Sequence, residues 1–295
     1  MQSLVIGATG IVGSLIVEKL AQMGERPYAL SRRPQNSRDG ITWIEGDLDR
    51  PDSLSLPSCD VIYSTVHPAL LSKVLRGLDL PHTRRIVFFT STSILTKLNS
   101  DDVAERANVR KLADGEYRLQ TICEELKIGW TVLRPTLIYA EEKDANLTRV
   151  ANFIRRFGFF PLAGSGNGRR QPVSAQDLAL GAVLAASMQQ TSNRTYAVPG
   201  AEIVSYREMI GRVFDSLGRR RLILPVPQLV WRLGYKALQR FFPGTNANMG
   251  SRMSKDMVFD GSLAARDFGW NPRPFRPKFA PQISSHSTKG APFHR

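Results

Sequence analysis

The first twenty-three residues constrain this chain more than any other stretch. Leu4-Val5-Ile6-Gly7 is a short apolar run breaking into glycine, and apolar residues then recur at helical spacing as Ile11, Leu15, Ile16, Leu20 and Met23. A strand, a tight turn and a helix in immediate succession open a βαβ unit. Strand-like runs return at 28–31, 42–45, 61–64, 86–91 and 130–133, with helical stretches between several of them, the longest over 103–126. This alternation predicts an α/β fold of the Rossmann type, a doubly wound parallel sheet covered on both faces and joined by right-handed crossovers.

The texture changes after Tyr139. Residues 152–160 mix aromatic and basic side chains, 164–170 is glycine-rich, and 177–188 reads as an alanine-rich helix with Asp177 as its N-cap. A seventh strand is expected at 196–198. The predicted organisation is a dinucleotide-binding core of residues 1–138, completed by 173–200. A smaller, discontinuous C-terminal substrate lobe comprises 139–172 and 201–272. Residues 273–295 carry Pro274, Pro277 and Pro281 and no acidic group, and predict a flexible basic tail.

Forty Lys plus Arg against 26 Asp plus Glu leave a net charge of +14 over 295 residues. That excess favours an anionic partner: a phosphorylated small molecule, a nucleic acid or an acidic membrane face. A nucleic-acid partner is disfavoured, because no zinc spacing, RNA-binding sheet signature or helix-turn-helix is visible. Eight of the cations fall between Asp215 and Asp256, where there is no carboxylate. Within 228–242, Arg232, Lys236 and Arg240 form a stripe every four residues beside Trp231, Tyr235, Leu238 and Phe242. Such a stretch suits peripheral contact with a membrane surface, or simple packing of its apolar side on the second lobe. Cys59 and Cys123 are too few for a disulfide framework, no apolar run reaches the roughly 18–20 residues of a membrane span, and a cytoplasmic home follows as the expectation, membrane-associated if the basic stretch meets lipid. No metal site is expected, and the sequence leaves the oligomeric state open.

The glycine turn itself, Gly7-Ala8-Thr9-Gly10-Ile11-Val12-Gly13, lies where such sheets bind dinucleotides. Glycine lets the backbone approach a pyrophosphate, and the following helix N-terminus offers free N–H groups to it. Its spacing, together with Gly46-Asp47-Leu48, Thr90-Ser91-Thr92-Ser93, the run from Leu133 to Tyr139, Gln171-Pro172-Val173 and Phe268-Gly269-Trp270-Asn271-Pro272, resembles the extended and atypical short-chain dehydrogenase/reductases, the NAD-dependent epimerase/dehydratase-like group. The motifs occur in the family's order across about residues 1–275.

An acidic residue about 20 positions after the turn would hold a ribose 2′-hydroxyl, whereas arginine accommodates a 2′-phosphate. The second strand ends Ser31-Arg32-Arg33, so NADP is expected as cofactor, with NAD less favoured; two solvated arginines are the alternative. The resemblance further implies that Asp47 and Leu48 border the adenine, that Thr65 lines the groove, and that Pro135 and Thr136 pass the nicotinamide. It assigns Thr92 the substrate-orienting hydroxyl, Lys111 the catalytic and ribose-binding lysine, and Ser93, Tyr139, Arg169 and Arg170 the substrate contacts. The family's tyrosine is absent: Ala107 stands four residues before Lys111, and Tyr117 lies off the lysine's face.

Two functions are therefore expected to compete. One is an NADP-dependent oxidoreductase or epimerase acting on a nucleotide-linked sugar or similar anionic metabolite. The other is a sensor or scaffold that binds NADP(H) without turnover.

Overall fold

The computed structural model describes residues 1–36, 39–51, 54–227, 229–231 and 253–280. Its central sheet takes seven strands: β1 (Ser3–Ile6), β2 (Tyr28–Ser31), β3 (Thr42–Glu45), β4 (Val61–Ser64), β5 (Arg85–Phe89), β6 (Gly129–Pro135) and β11 (Arg194–Val198). They pair in parallel in the order β11-β6-β5-β4-β1-β2-β3. Strands buried on both faces must be apolar throughout, and their residues alternate between two cores. Val5, Tyr63 and Val87 face the core under α1 (Ile11–Gln22) and α6 (Ala175–Ser187). Leu4, Ile6, Ile62, Ile86 and Phe88 face the other core, under α2 (Pro68–Val74) and α4 (Val103–Glu125). Cys59 and Cys123 are buried free thiols.

A third apolar cluster builds the second lobe. It gathers α5 (Leu147–Phe157), α7 (Tyr206–Ser216) and the parallel pair of β8 (Phe160–Ala163) with β13 (Ile223–Val226). Short two-stranded ladders join the lobes: β7 (Ile138–Tyr139) with β10 (Val173–Ser174), and β9 (Arg169–Arg170) with β12 (Val204–Ser205).

Three sequence expectations are corrected. The alanine-rich helix begins at Ala175, and its N-cap is Ser174, whose hydroxyl accepts from the Gln176 N–H. Asp177 lies in the first turn, buried, where it pairs with Arg273 at 2.7 Å. Helix α8 (Ser262–Phe268), assigned from sequence to the substrate lobe, packs Ala264 and Phe268 with Trp270 on the sheet core instead. Residues 273–280, read as the start of a flexible tail, are packed: Phe275 and Phe279 enter the second-lobe core and Arg276 pairs with Glu202. Prolines exclude regular structure there, but two phenylalanines at a spacing of four still supply apolar surface to bury. The basic stripe of Arg232, Lys236 and Arg240, and residues 281–295, lie outside the described residues.

Candidate functional site

The crevice at the C-terminal edge of the sheet opens between β1 and β4, where the strand order reverses, the position at which open α/β sheets bind ligands. Gly7 leaves β1 with φ +82°, and a Cβ there would meet Thr65 Oγ1 at 2.5 Å. At Gly13 a Cβ would meet the Gly7 carbonyl oxygen at 2.2 Å. The turn therefore lies flush against α1, a cradle that any side chain would fill. Helices α2, α4, α6 and α7 are capped by the side chains of His67, Asp102, Ser174 and Ser205, whereas α1 starts at Gly10 with no side-chain cap and no acid in its first turn. Its opening N–H groups and the positive end of its dipole are left to an anion. Thr9 and Gly10 are exposed at the mouth, Ile11 is half-buried, and Val12 puts its side chain into the core, leaving only its backbone for a ligand.

Thr65, expected to line the groove, braces the turn. Its hydroxyl lies 3.1 Å from the Gly7 carbonyl, to which it donates. At the end of β2, Ser31 is buried and its oxygen accepts from the Arg33 N–H, while the Arg32 and Arg33 side chains are exposed, with no carboxylate at ion-pair distance among the described residues. Asp47 uses one carboxylate oxygen on the Asp49 N–H, and Leu48 is a core residue. His67, which the sequence reading passed over, caps α2 with Nδ1 accepting from the Ala69 N–H at 3.2 Å. Burial and then the nearby Lys111 charge hold its pKa below the ordinary imidazole value. Lys111 is thus exposed on α4 toward the β4 end of the crevice.

Between the lobes lies a cavity of about 640 Å³. Its sheet side is Thr90 to Ser93 and Pro135 to Ile138, the residues that follow or end β5 and β6. Its far side is Leu147, Arg149, Val150, Phe160, Arg170, Tyr206 and Met209, and Met253, Met257 and Phe259 close it. The last three belong to the stretch 201–272 assigned from sequence to the substrate lobe, although none of them was expected at the site. It is laced to the glycine-rich loop by Gly168 N–H to the Met253 carbonyl and Met257 N–H to the Arg169 carbonyl, bonds between partners more than 80 residues apart. Lys97, Arg149 and Arg170 line the cavity, and no carboxylate does among the described residues.

The predicted substrate and catalytic residues are only partly assembled. Arg170 lines the cavity, over the Tyr206 ring, with Nη1 donating to the carbonyls of Arg169 and Lys255. Arg169, its neighbour on the strand, points the other way and pairs with Asp256 at 2.8 Å, as alternating side chains require. Tyr139 is a correction: it is buried in the second lobe, edge-on to Phe275, and does not line the cavity. Burial, then Glu141 and Asp177, push its pKa up to about 12, the wrong direction for a proton donor near neutrality. Tyr117 is 71% exposed. Thr92 lines the cavity, but its hydroxyl donates to the Pro135 carbonyl at 3.1 Å, and Thr136 likewise donates to the Gln171 carbonyl. Ser93 is half-buried in the wall with no hydrogen bond from its hydroxyl to a described residue. Behind the wall, the buried Glu116 carboxylate is gripped by Arg134 through both oxygens and accepts from Thr90 at 2.7 Å.

A family model described as NAD(P)H-binding matches residues 7–156, just over half of the chain. The chain belongs to this NAD(P)H-binding family. A mitochondrial NADH dehydrogenase [ubiquinone] 1 alpha subcomplex subunit 9 from Arabidopsis thaliana is 24% identical over 76% of this chain, which spans 60% of that relative's length. A UDP-glucose 4-epimerase from Vibrio cholerae is 20% identical over 91% of this chain and 90% of its own. Among solved structures, MoeE5 in complex with UDP-glucuronic acid and NAD superposes with a TM-score of 0.68 at 17% identity, covering 93% of this chain and 95% of that one, a likeness of fold. Among the described residues no helix is long and apolar enough to cross a membrane.

Proposed function

We propose that the protein is an NADP(H)-dependent oxidoreductase or epimerase whose anionic substrate, a nucleotide-linked sugar or a metabolite of similar charge, occupies the cavity between the lobes. The contact of Gly13 with Gly7 carries the cofactor part of this reading: it presses the turn against α1, whose N-terminus has no side-chain cap and suits a diphosphate. Arg32 and Arg33 hold the 2′-phosphate, and the exposed Lys111 adds positive charge beside the ribose. Pro135 and Thr136 flank the nicotinamide, which exchanges a hydride with the substrate when the cofactor is bound. Ser93 replaces Thr92 as the hydroxyl that orients the substrate oxygen, because the Thr92 proton is held by a backbone carbonyl. Arg149 and Arg170 in the cavity wall support an anionic substrate, as does the UDP-glucuronic acid held by MoeE5; the charge of Lys97 is already paired with Glu105. A cytoplasmic location fits this chemistry.

A second reading, an NADP(H)-binding sensor or scaffold, is favoured by Ala107 standing where the family has tyrosine and by the burial of Tyr139. NADPH titration by fluorescence, followed by cofactor absorbance with a panel of nucleotide sugars and carbonyl compounds, separates the two. Turnover with any of them supports the enzyme; tight binding without turnover across the panel supports the sensor.

A further inference from the structure

Three threonines form the sheet side of the cavity, and each has its hydroxyl proton already committed. Thr90 donates to Glu116, Thr92 to the Pro135 carbonyl and Thr136 to the Gln171 carbonyl. The first of these is fixed from behind: Arg134 grips both oxygens of Glu116, so the carboxylate can only accept. A hydroxyl has one proton and two lone pairs, so lone pairs are what these three can still offer a ligand. The lining also holds Ser91, whose oxygen accepts from the Ser93 N–H, and Ser93; their protons are the ones left for a ligand.

An alcohol both donates and accepts, and so satisfies the threonine wall and the serine together. A carbonyl oxygen can only accept; it could take a proton from Ser91 or Ser93, but against the threonines it would set lone pairs against lone pairs and so makes one hydrogen bond fewer than the alcohol. From the second lobe come Arg149 and Arg170, with Leu147, Val150, Phe160 and Met209 beside them. We propose that the cavity takes an organic anion in its alcohol form, the hydroxyl donating to the threonine wall and the acid group near the two arginines, and discriminates against the corresponding carbonyl compound. This rests on the reading of the cavity as the substrate site, and adds the oxidation state that the site recognises.

The test is calorimetric titration of the full-length protein with 4-hydroxycyclohexanecarboxylate and 4-oxocyclohexanecarboxylate, with and without NADPH. The hydroxy acid should bind about tenfold or more tightly than the oxo acid, the scale of one satisfied against one unsatisfied hydrogen bond. Thr90→Val should narrow the preference, and Thr90→Val combined with Thr92→Val should bring the two affinities to within about twofold. Thr90→Ser, which keeps the acceptor, should preserve the preference, and the thermal midpoint of each variant reports that it is folded. Equal binding, tighter binding of the oxo acid, no binding of either, or a preference untouched by Thr90→Val in a folded protein overturns the proposal. A missing NADPH heat with the hydroxy-acid preference intact would instead sink the cofactor reading and leave this one standing.

Discussion

A methyl group placed on Gly13 would lie 2.2 Å from the carbonyl oxygen of Gly7. One turn of α1 and the end of β1 are thus in direct backbone contact, and the Thr65 hydroxyl clamps the same carbonyl from the neighbouring strand. Gly13→Ala must separate helix from turn. The expected result is a loss of stability of about 1–3 kcal/mol, typical of overpacking, and a weakening of NADPH by tenfold or more, since the phosphate cradle opens. Thermal melts and calorimetry check both, and a variant that binds as the parent does would mean the turn yields without cost.

Exposed arginines at the end of β2 should govern cofactor choice rather than affinity in general. Arg32→Glu is expected to weaken NADPH by roughly 10–100-fold, the worth of a charge-assisted contact, with NADH changed far less. Equal weakening of the two coenzymes, measured by fluorescence titration, would remove the assignment of NADP(H).

Arg134 and Glu116 make a buried ion pair whose partners cannot be removed singly at low cost. Arg134→Met should destabilise the fold by about 3 kcal/mol, the lower end for such a pair because the guanidinium keeps some exposure. Pairing it with Glu116→Leu should recover part of the loss. Urea denaturation of the two single variants and the double variant measures the coupling, and strict additivity would show that the pair is not a unit.

Acid should weaken the fold. Although burial pushes them up, the Arg212 guanidinium holds the Glu202 carboxyl below its ordinary value, and Arg221 and Arg212 hold that of Glu208. A hydrogen bond from Arg221 does the same for Asp215. Carboxyls with depressed folded values bind fewer protons folded than unfolded, so their stabilisation is full above their ordinary values of 4.5 and 3.8 and is lost as pH falls below them. His67, also depressed, works in the same direction below its ordinary 6.5. Thermal midpoints should therefore fall as pH drops from 7 toward 3, and Arg221→Gln should flatten the acidic limb. A midpoint independent of pH over that range would contradict these pairings.

The parallel sheet was readable from sequence because most of its strands are buried on both faces: the strand-like runs at 28–31, 42–45 and 61–64 coincide with β2, β3 and β4 residue for residue, although the edge strand β3 keeps Thr42 and Glu45 exposed. The glycine turn was equally legible, since its constraint is local. What joins distant segments was not. Glu116 on a helix looks like a solvated residue until Arg134 and Thr90 surround it. Met253, Met257 and Phe259 enter the cavity through hydrogen bonds to residues more than 80 positions away, a relation no periodicity encodes. Arg169 and Arg170 read as equivalent in sequence, yet one residue's step along a strand sends them to opposite faces. Ser93 and Thr92 are distinguished only by which hydroxyl a backbone carbonyl already holds.

Titration calorimetry of the purified, folded protein with NADPH and with NADH bears most directly on the account. Saturable heat from NADPH, tighter than from NADH and weakened tenfold or more by Gly13→Ala, is the predicted result. Absence of heat from both coenzymes would contradict it.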